Sequence, residues 1–283
     1  MKKRILTSHI VHYGVCVLAA LTSVPLIAIL GEVLIKGYKQ FSWAFLTQPT
    51  PTAYKAMMAL AQGEDIPGGI ANGILGSLIM LLMAAIIAIP VGIMGGIYLS
   101  ENSNKRFAQI VSYMTDLLQG TPSVIIGIIT YIWVVVPMRG YSAIAGSVAL
   151  TVMMLPLIVR STEETMKILP QSLKEAGLAL GGSYAKVVMK VQLPSAFGGI
   201  FTGVLLAISR VIGETAPLMF TALGCQVIRL SVDKPMSAVP LLIWEFFNDP
   251  NLQELIWGAS LFLLLFVLSI NLLSKYLAKK WQS

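Results

Sequence analysis

Six stretches of this 283-residue chain are long and apolar enough to cross a lipid bilayer as helices. A membrane-spanning helix needs about 20 mostly apolar residues. Only 12% of the residues are charged and 56% are hydrophobic, a balance that excludes both a disordered chain and an ordinary soluble domain. We therefore predict an all-α membrane protein with six transmembrane helices, over about 12–31, 73–99, 110–137, 144–159, 197–223 and 255–273.

The basic residues between these spans are distributed unevenly. Thirteen of the 20 Lys and Arg residues lie on one side of the predicted membrane, six lie on the other, and Arg210 lies inside the fifth span. Because basic loops stay in the cytoplasm, the side with thirteen is predicted to be cytoplasmic, and so are both termini. Lys2, Lys3 and Arg4 precede an apolar run that is too long for a signal peptide, so an uncleaved first span is expected. The net charge of +7 thus indicates membrane topology and no nucleic-acid partner.

The chain lacks the residue patterns of a catalytic or metal-binding protein. No GxxxxGKS or GxxxxGKT phosphate loop, HExxH or CxxC pattern occurs, and both histidines, His9 and His12, lie near the N-terminus. Cys16 and Cys225 are predicted on opposite sides of the membrane, which argues against a disulfide. We expect no catalytic residue, no metal site and no cofactor in this chain. If the protein performs ATP-driven work, ATP and Mg²⁺ bind to another subunit.

The loop between the fourth and fifth spans, 161–195, carries the most specific pattern. Residues 175–194 read EAGLALGGSYAKVVMKVQLP. From the residues alone, 172–180 favours a helix that Gly181 and Gly182 terminate. The permeases of ABC importers carry a loop of the form EAA, three residues, G, nine residues, I-x-LP, and this segment resembles it, with Gly for the third position and Val for Ile. The matching residues are Glu175, Ala176, Gly177, Gly181, Leu193 and Pro194.

This resemblance implies a fold and a division of the chain. It implies the type I ABC importer permease fold, with a transmembrane domain over 69–275. An N-terminal span and outer segment (1–68) precede this domain, and a cytoplasmic tail (276–283) follows it. The resemblance also implies that the 161–195 loop is a coupling loop that docks on a separate ATPase subunit. A surface helix without a partner is the alternative interpretation.

Two charged residues, Arg210 and Glu214, lie in the middle of the predicted fifth span. Charged side chains inside a bilayer are costly and usually functional. A spacing of four residues places both on one helix face, where they are expected to form an ion pair. One interpretation is a purely structural salt bridge. The other is that Arg210 binds an anion in a translocation pathway, because its planar fork matches phosphate oxygens, while Glu214 orients or releases it.

Four further segments together resemble phosphate-specific, PstA-type permeases of ABC importers: GGIANGILGSL (68–78), QGTPSVIIGI (119–128), LPLIVRSTEE (155–164) and GETAPL (213–218). The resemblance implies that inorganic phosphate is the substrate and that Arg160 and Arg210 are basic positions of the pathway. From the residues alone, Arg160 is equally a snorkelling charge near Glu163 and Glu164, and the Gly-Thr-Pro break at 120–122 is equally a simple kink. The candidate pathway residues are Arg210, Glu214, Arg160, Thr215, Thr121 and Ser123.

The family resemblance also implies partners and a location. The expected partners are a second, PstC-type permease subunit, a pair of PstB-type ATP-binding subunits, an external PstS-type phosphate-binding protein and membrane lipid, in the bacterial cytoplasmic membrane. Alternatives are a permease for another oxyanion, a secondary anion transporter with proton coupling through Glu214, and a membrane sensor or scaffold. Six spans without an evident repeat disfavour the secondary transporter, and a scaffold leaves Arg210 and Glu214 unexplained.

Overall fold

The computed structural model describes the backbone of residues 2–282 and the side chains of residues 12–277. Six side chains used in the charge and metal arguments therefore lie outside the described part: Lys2, Lys3, Arg4, His9, Lys279 and Lys280. The helices are α1 (Lys2–Gln40), α2 (Trp43–Thr47), α3 (Ala53–Gln62), α4 (Ala71–Glu101), α5 (Arg106–Gly120), α6 (Ser123–Thr130), α7 (Val136–Met138), α8 (Ala143–Ile168), α9 (Gln171–Ala179), α10 (Tyr184–Val187), α11 (Leu193–Ile212), α12 (Ala216–Thr221), α13 (Val239–Asn248) and α14 (Leu255–Gln282). Single π-helical turns join α6 to α7 and α10 to α11. The described backbone contains no β-strand, which confirms the all-α class.

Five helical segments of the described chain are each long and apolar enough to cross a membrane. They are α1, α4, α8, α10 joined to α11, and α14. The third predicted span, over 110–137, is broken, because the chain bends by 107° between α5 and the apolar segment 123–138. The break falls where the sequence predicts an interruption, at 120–122, since Pro122 has no N–H with which to continue the helix. Five continuous spans and one sharply bent span thus agree with the six expected.

The fourth and fifth spans differ from their predicted bounds. α8 continues past Arg160, because the charge of this residue is bound by partners on α5 and α8 and does not end the helix. α11 ends at Ile212, so the predicted continuous helix over 197–223 is wrong. Residues 213–215 form a break. The next helix, α12, then holds Pro217 in its first turn, where a proline is tolerated.

α8 lies at the centre of the bundle and packs closely against α4 on one side and α11 on the other. Glycines spaced four residues apart make this approach possible. A methyl group added to any of four glycines would lie 2.7 Å or less from an α8 side chain: Gly92 from Ile158, Gly96 from Thr162, Gly199 from Thr165 and Gly203 from Ser161. The packing of the bundle therefore depends on bare backbone at these positions.

Gly203→Ala is expected to destabilise the protein. Its new Cβ would lie 1.6 Å from the hydroxyl oxygen and 2.3 Å from the Cβ of Ser161, and rotation of the hydroxyl relieves only the first contact. Overpacking of this kind costs about 1–3 kcal/mol. Gly31→Ala on α1 is the matched control, because nothing lies within 4 Å of its new Cβ. In thermal unfolding of the purified protein, only the first variant should melt at a lower temperature, and equal melting temperatures would contradict this packing.

The two ends of the bundle are built differently. At one end, which we call the loop end, α9 and α10 lie beside the last turn of α4. At the opposite end, Asn72 ties the segments before α4 and after α12 together. Its side-chain oxygen accepts hydrogen bonds from the backbone N–H (3.1 Å) and hydroxyl (2.9 Å) of Thr50, and its amide nitrogen donates to the carbonyl of Cys225 (2.7 Å). Cys16 and Cys225 are both free thiols.

Candidate functional site

A cavity of about 680 Å³ lies between α5, α8 and α11. Arg160 and Arg210, the two basic residues predicted for a translocation pathway, both line it. They converge because α8 and α11 run side by side in opposite directions, with Gly203 against Ser161 at the cavity wall. The other lining residues are Asp116, Gln119, Leu157, Glu164, Leu206 and Ala207. Three helices therefore contribute polar or charged groups to one space.

Arg160 is held by a network of hydrogen bonds. Its Nε donates to a carboxylate oxygen of Asp116 at 2.9 Å, and one terminal nitrogen lies 2.5 Å from the same oxygen. That terminal nitrogen also donates to the hydroxyl (2.8 Å) and the carbonyl oxygen (3.1 Å) of Ser112. The second terminal nitrogen donates to Glu163 at 2.6 Å. The network joins α8 to α5, so Arg160 is not a freely snorkelling charge.

The two acids predicted near Arg160 have different roles. Glu163 is 6% exposed and is shared between Arg160 and Lys167, whose ammonium lies 2.6 Å from its second carboxylate oxygen. Glu164 is exposed and lines the cavity, but it forms no ion pair within the described residues. Only Glu163 therefore neutralises the arginine from its own helix.

Arg210 has no hydrogen-bond or ion-pair partner within the described residues, and its exposed side chain lines the cavity. The predicted ion pair with Glu214 is wrong. α11 ends at Ile212, and the N–H of Glu214 closes a turn onto the carbonyl of Val211 at 3.1 Å, so the two charged residues do not belong to one helix. Arg210 lies in the last turn of α11, where the helix dipole favours a positive charge. A free guanidinium in a cavity is suited to binding an anion.

The other four predicted pathway residues lie outside this cavity: Thr121, Ser123, Glu214 and Thr215. Thr121 donates its hydroxyl to a carbonyl of its own helix at 2.7 Å and borders a separate, apolar cavity of about 600 Å³. The helices that follow the two breaks pack together, since a Cβ on Gly127 of α6 would lie 2.8 Å from the backbone of Pro217 on α12. Irregular backbone is tolerated in a membrane where it is buried in protein or lines a cavity. The roles of these four residues stay predictions.

The predicted helix in the 161–195 loop is confirmed as α9, and glycines shape its end. Gly181 has a left-handed φ of 81°, which terminates the helix, and the N–H of Gly182 donates to the carbonyl of Gly177 at 3.2 Å. A Cβ on Gly177 would lie 3.0 Å from both methyl groups of Val187. Glycine in the third position of the ABC pattern therefore lets α10 close tightly on α9.

An acid that the sequence patterns do not reveal anchors this loop to a span. Lys174 on α9 forms a salt bridge with Glu101 in the last turn of α4, and Gln192 donates to the other carboxylate oxygen at 3.4 Å. The Lys174 nitrogen also lies 5.1 Å from the centre of the Tyr184 ring. The loop helix and the segment that leads into α11 are thus both attached to α4. The only signal in the sequence is a lone acid at the end of the second span.

Much of the surface of α9 is uncovered. No residue of this helix is buried, and Leu178 and Leu180 are 41% and 91% exposed. Glu175 and Ala176 are exposed beside them. We call these four residues the α9 face. A grouped, exposed apolar surface is typical of a protein–protein contact. The last positions of the ABC pattern, Leu193 and Pro194, instead form the first turn of α11.

At the opposite end of the bundle, α13 carries an acid with altered ionisation. Burial raises the pKa of Glu245 from its usual value of 4.5 to about 7. Within the described residues its carboxyl has no hydrogen-bond or ion-pair partner that would favour the charged form. At neutral pH this side chain is therefore only partly ionised, and this end of the molecule carries less negative charge than its sequence implies.

Comparison with known proteins finds similar chains. The family model described as binding-protein-dependent transport system inner membrane component matches residues 88–283. The chain is 37% identical over 258 residues to the phosphate transport system permease protein PstA of Yersinia pestis. This alignment covers 90% of this chain and 84% of that protein. The chain is 35% identical to PstA of Haemophilus influenzae (87% and 85% covered) and 35% identical to PstA of Mycobacterium leprae (88% and 81% covered).

A solved structure shares the fold. The match is to an inward-facing conformation of the MetNI methionine ABC transporter, with a TM-score of 0.60 over 74% of this chain and 93% of that chain. The sequence identity is 18%, so this likeness concerns the fold alone. The predicted ABC permease fold is confirmed.

Proposed function

Because the chain belongs to the family of binding-protein-dependent transport system inner membrane components, we propose that it is the permease subunit of an ATP-driven importer of inorganic phosphate. Phosphate transport permeases of three bacteria are 35–37% identical to it over most of its length, which supports phosphate over another oxyanion. The observation that carries the assignment is Arg210, a guanidinium that has no partner among the described residues and lies in a cavity between membrane-spanning helices.

Arg210 suits phosphate in both charge and shape. Its planar fork presents parallel N–H donors that phosphate oxygens accept in pairs. Gln119, which also lines the cavity, donates its amide nitrogen to the carbonyl of Pro156 at 3.3 Å, and this leaves its amide oxygen as an acceptor. Phosphate at neutral pH retains a P–OH donor for such an acceptor, whereas sulfate has none. The pair of groups therefore favours phosphate over sulfate.

The route beyond the cavity follows the two helix breaks. Broken helices place free backbone groups at ion sites in many transporters. The helices after both breaks are packed together, which supports a shared path along them. We assign the remaining candidates to this path: Thr121 and Ser123 at the first break and Glu214 and Thr215 at the second.

ATP binding and hydrolysis take place in a partner ATPase that docks on the α9 face. A push on α9 reaches α4 through the Lys174–Glu101 salt bridge. The same push reaches α11, and with it Arg210, through the continuous segment 184–212. Movement of the loop therefore shifts two walls of the bundle together and changes the side from which the cavity is open.

We infer the orientation in the membrane from the distribution of basic residues, and the remaining partners from the family to which the chain belongs. The excess of Lys and Arg on the loop side supports placing the loop end and both termini in the cytoplasm of a bacterium. A second, PstC-type permease subunit completes the pathway, two PstB-type subunits hold ATP and Mg²⁺, and a PstS-type protein delivers phosphate from outside. Lipid covers the spanning window of α1, which has no buried residue.

Reconstitution of the assembled transporter tests this function. Proteoliposomes with phosphate and the external binding protein in the lumen, and ATP in the bath, should release phosphate only when ATP is present. Arsenate should compete with phosphate, and sulfate should not. Transport driven by a proton gradient without ATP would indicate a secondary transporter instead. Equal transport of sulfate would assign the protein to another oxyanion.

A further inference from the structure

The guanidinium of Arg160 already binds carboxylates of its own chain at the edges where a substrate anion would bind. One oxygen of Asp116 bridges Nε (2.9 Å) and a terminal nitrogen (2.5 Å). Glu163 accepts from the other terminal nitrogen at 2.6 Å. Phosphate uses the same edges of an arginine when it binds. Arg160, unlike Arg210, is therefore available to phosphate only if a carboxylate leaves.

The two carboxylates differ in how easily they leave. Glu163 is 6% exposed and is also held by Lys167 at 2.6 Å. Asp116 is 55% exposed, lines the cavity, and has Arg160 as its only ion-pair partner within the described residues. Exposed ion pairs contribute little net stability, so they exchange readily. Glu163 is thus the permanent counter-ion and Asp116 the exchangeable one.

We propose that Asp116 is an internal substitute for the substrate: it neutralises Arg160 while the cavity is empty, and phosphate displaces it on binding. This inference rests on the proposed function. The exchange replaces one charge-assisted contact with another, so Arg160 is not left unpaired at either stage. Phosphate carries more charge and more acceptor oxygens than one carboxylate, and Arg210 adds a second positive charge to the same cavity. Phosphate therefore displaces Asp116 from Arg160 when it is present. Asp116 binds Arg160 again, and so releases phosphate, when the other contacts to phosphate weaken.

The exchange also changes a contact between helices. Asp116 lies one turn before the bend at 120–122, and its bond to Arg160 ties the end of α5 to α8. Displacement by phosphate releases this tie at the moment when the substrate arrives. Binding of phosphate thereby removes one of the contacts that hold the bent span against α8.

Transport kinetics of the complete transporter in proteoliposomes test the exchange. Asp116→Asn keeps the size of the side chain but removes the charge that competes for Arg160. We expect the KM for phosphate to fall about five-fold, the size of effect given by loss of a partly exposed ion pair. Asp116→Glu keeps the competing charge and should restore the KM to near its original value.

Asp233→Asn is the matched control, because it makes the same chemical change at an exposed residue outside the cavity. Its KM should change by no more than about two-fold, since salt screens exposed charges outside the site. An equal fall in both variants would show a general charge effect and overturn the exchange. An unchanged or higher KM in Asp116→Asn would overturn it as well. If the wild-type transporter moves no phosphate, the proposed function itself is wrong. The KM values of the variants test only the exchange at Arg160.

The wild-type transporter provides a second test that needs no substitution. Saturating phosphate should speed amide hydrogen exchange in residues 110–119, because α5 loses one of the side-chain contacts that hold it to α8. The same concentration of sulfate should leave that segment unchanged. If phosphate slows exchange there, or does not alter it, Asp116 stays bound to Arg160 and the inference is wrong.

Discussion

Arg210→Gln is expected to abolish phosphate uptake while the transporter assembles normally. The substitution removes the only cationic group of the cavity that has no partner within the described residues. Loss of a hydrogen bond between charged groups costs about 2 kcal/mol, so uptake should fall by about thirty-fold. Assembly should be unaffected, because no hydrogen bond or ion pair within the described part of the chain depends on the guanidinium. Uptake of radiolabelled phosphate, measured at equal amounts of assembled complex, gives the result.

Two further variants separate charge from position in this experiment. Arg229→Gln makes the same chemical change at an exposed residue outside the cavity, and uptake should stay at the original rate. Arg210→Lys keeps the charge but replaces the planar fork with a single point charge, so we expect partial activity. If Arg210→Gln transports as well as Arg229→Gln, phosphate does not bind at Arg210 and the cavity is not the site.

The sequence predicts the spans well, but it predicts only one of the two places where a span stops being helical. Long apolar windows correspond to helices because a bilayer leaves the backbone no other partners than its own. The same windows do not show whether the helix is continuous. The segment around Arg210 and Glu214 is apolar enough to be read as one helix, yet it breaks at 213–215. The expected ion pair fails for this reason alone, since a spacing of four residues brings side chains together only on an unbroken helix.

The sequence predicts the parts of the site that depend on neighbouring residues in the chain. It does not predict contacts between residues that are far apart in the chain. The ABC pattern locates α9 because turn and helix signals lie within a few residues of each other. The partner of Lys174 lies 73 positions away, on a different span, and no local signal connects it with Glu101. Arg160 was ambiguous for the same reason. Its counter-ion Asp116 is separated from it by 44 positions and comes close only because α5 packs on α8.

Glu175→Lys is expected to abolish uptake and ATPase stimulation together. Glu175 lies on the exposed α9 face, and no contact within the described residues explains its presence there. Reversal of a charge inside a docking surface places like charges together, which costs several kcal/mol and should weaken binding of the ATPase by at least about thirty-fold. Co-purification of the ATPase with the permease measures this loss. Glu64→Lys, the same change at an exposed residue of the opposite end, should leave co-purification intact.

Glu101→Gln separates docking of the ATPase from transmission of its movement. Glu101 lies beneath α9, where Lys174 and Gln192 bind it, and it does not belong to the α9 face. The ATPase should therefore still co-purify with this variant and still hydrolyse ATP. Uptake should fall, because α9 then moves without pulling α4. If Glu101→Gln instead releases the ATPase as Glu175→Lys does, the salt bridge shapes the docking surface and does not carry force. If Glu175→Lys retains both the ATPase and uptake, the ATPase docks elsewhere on this chain.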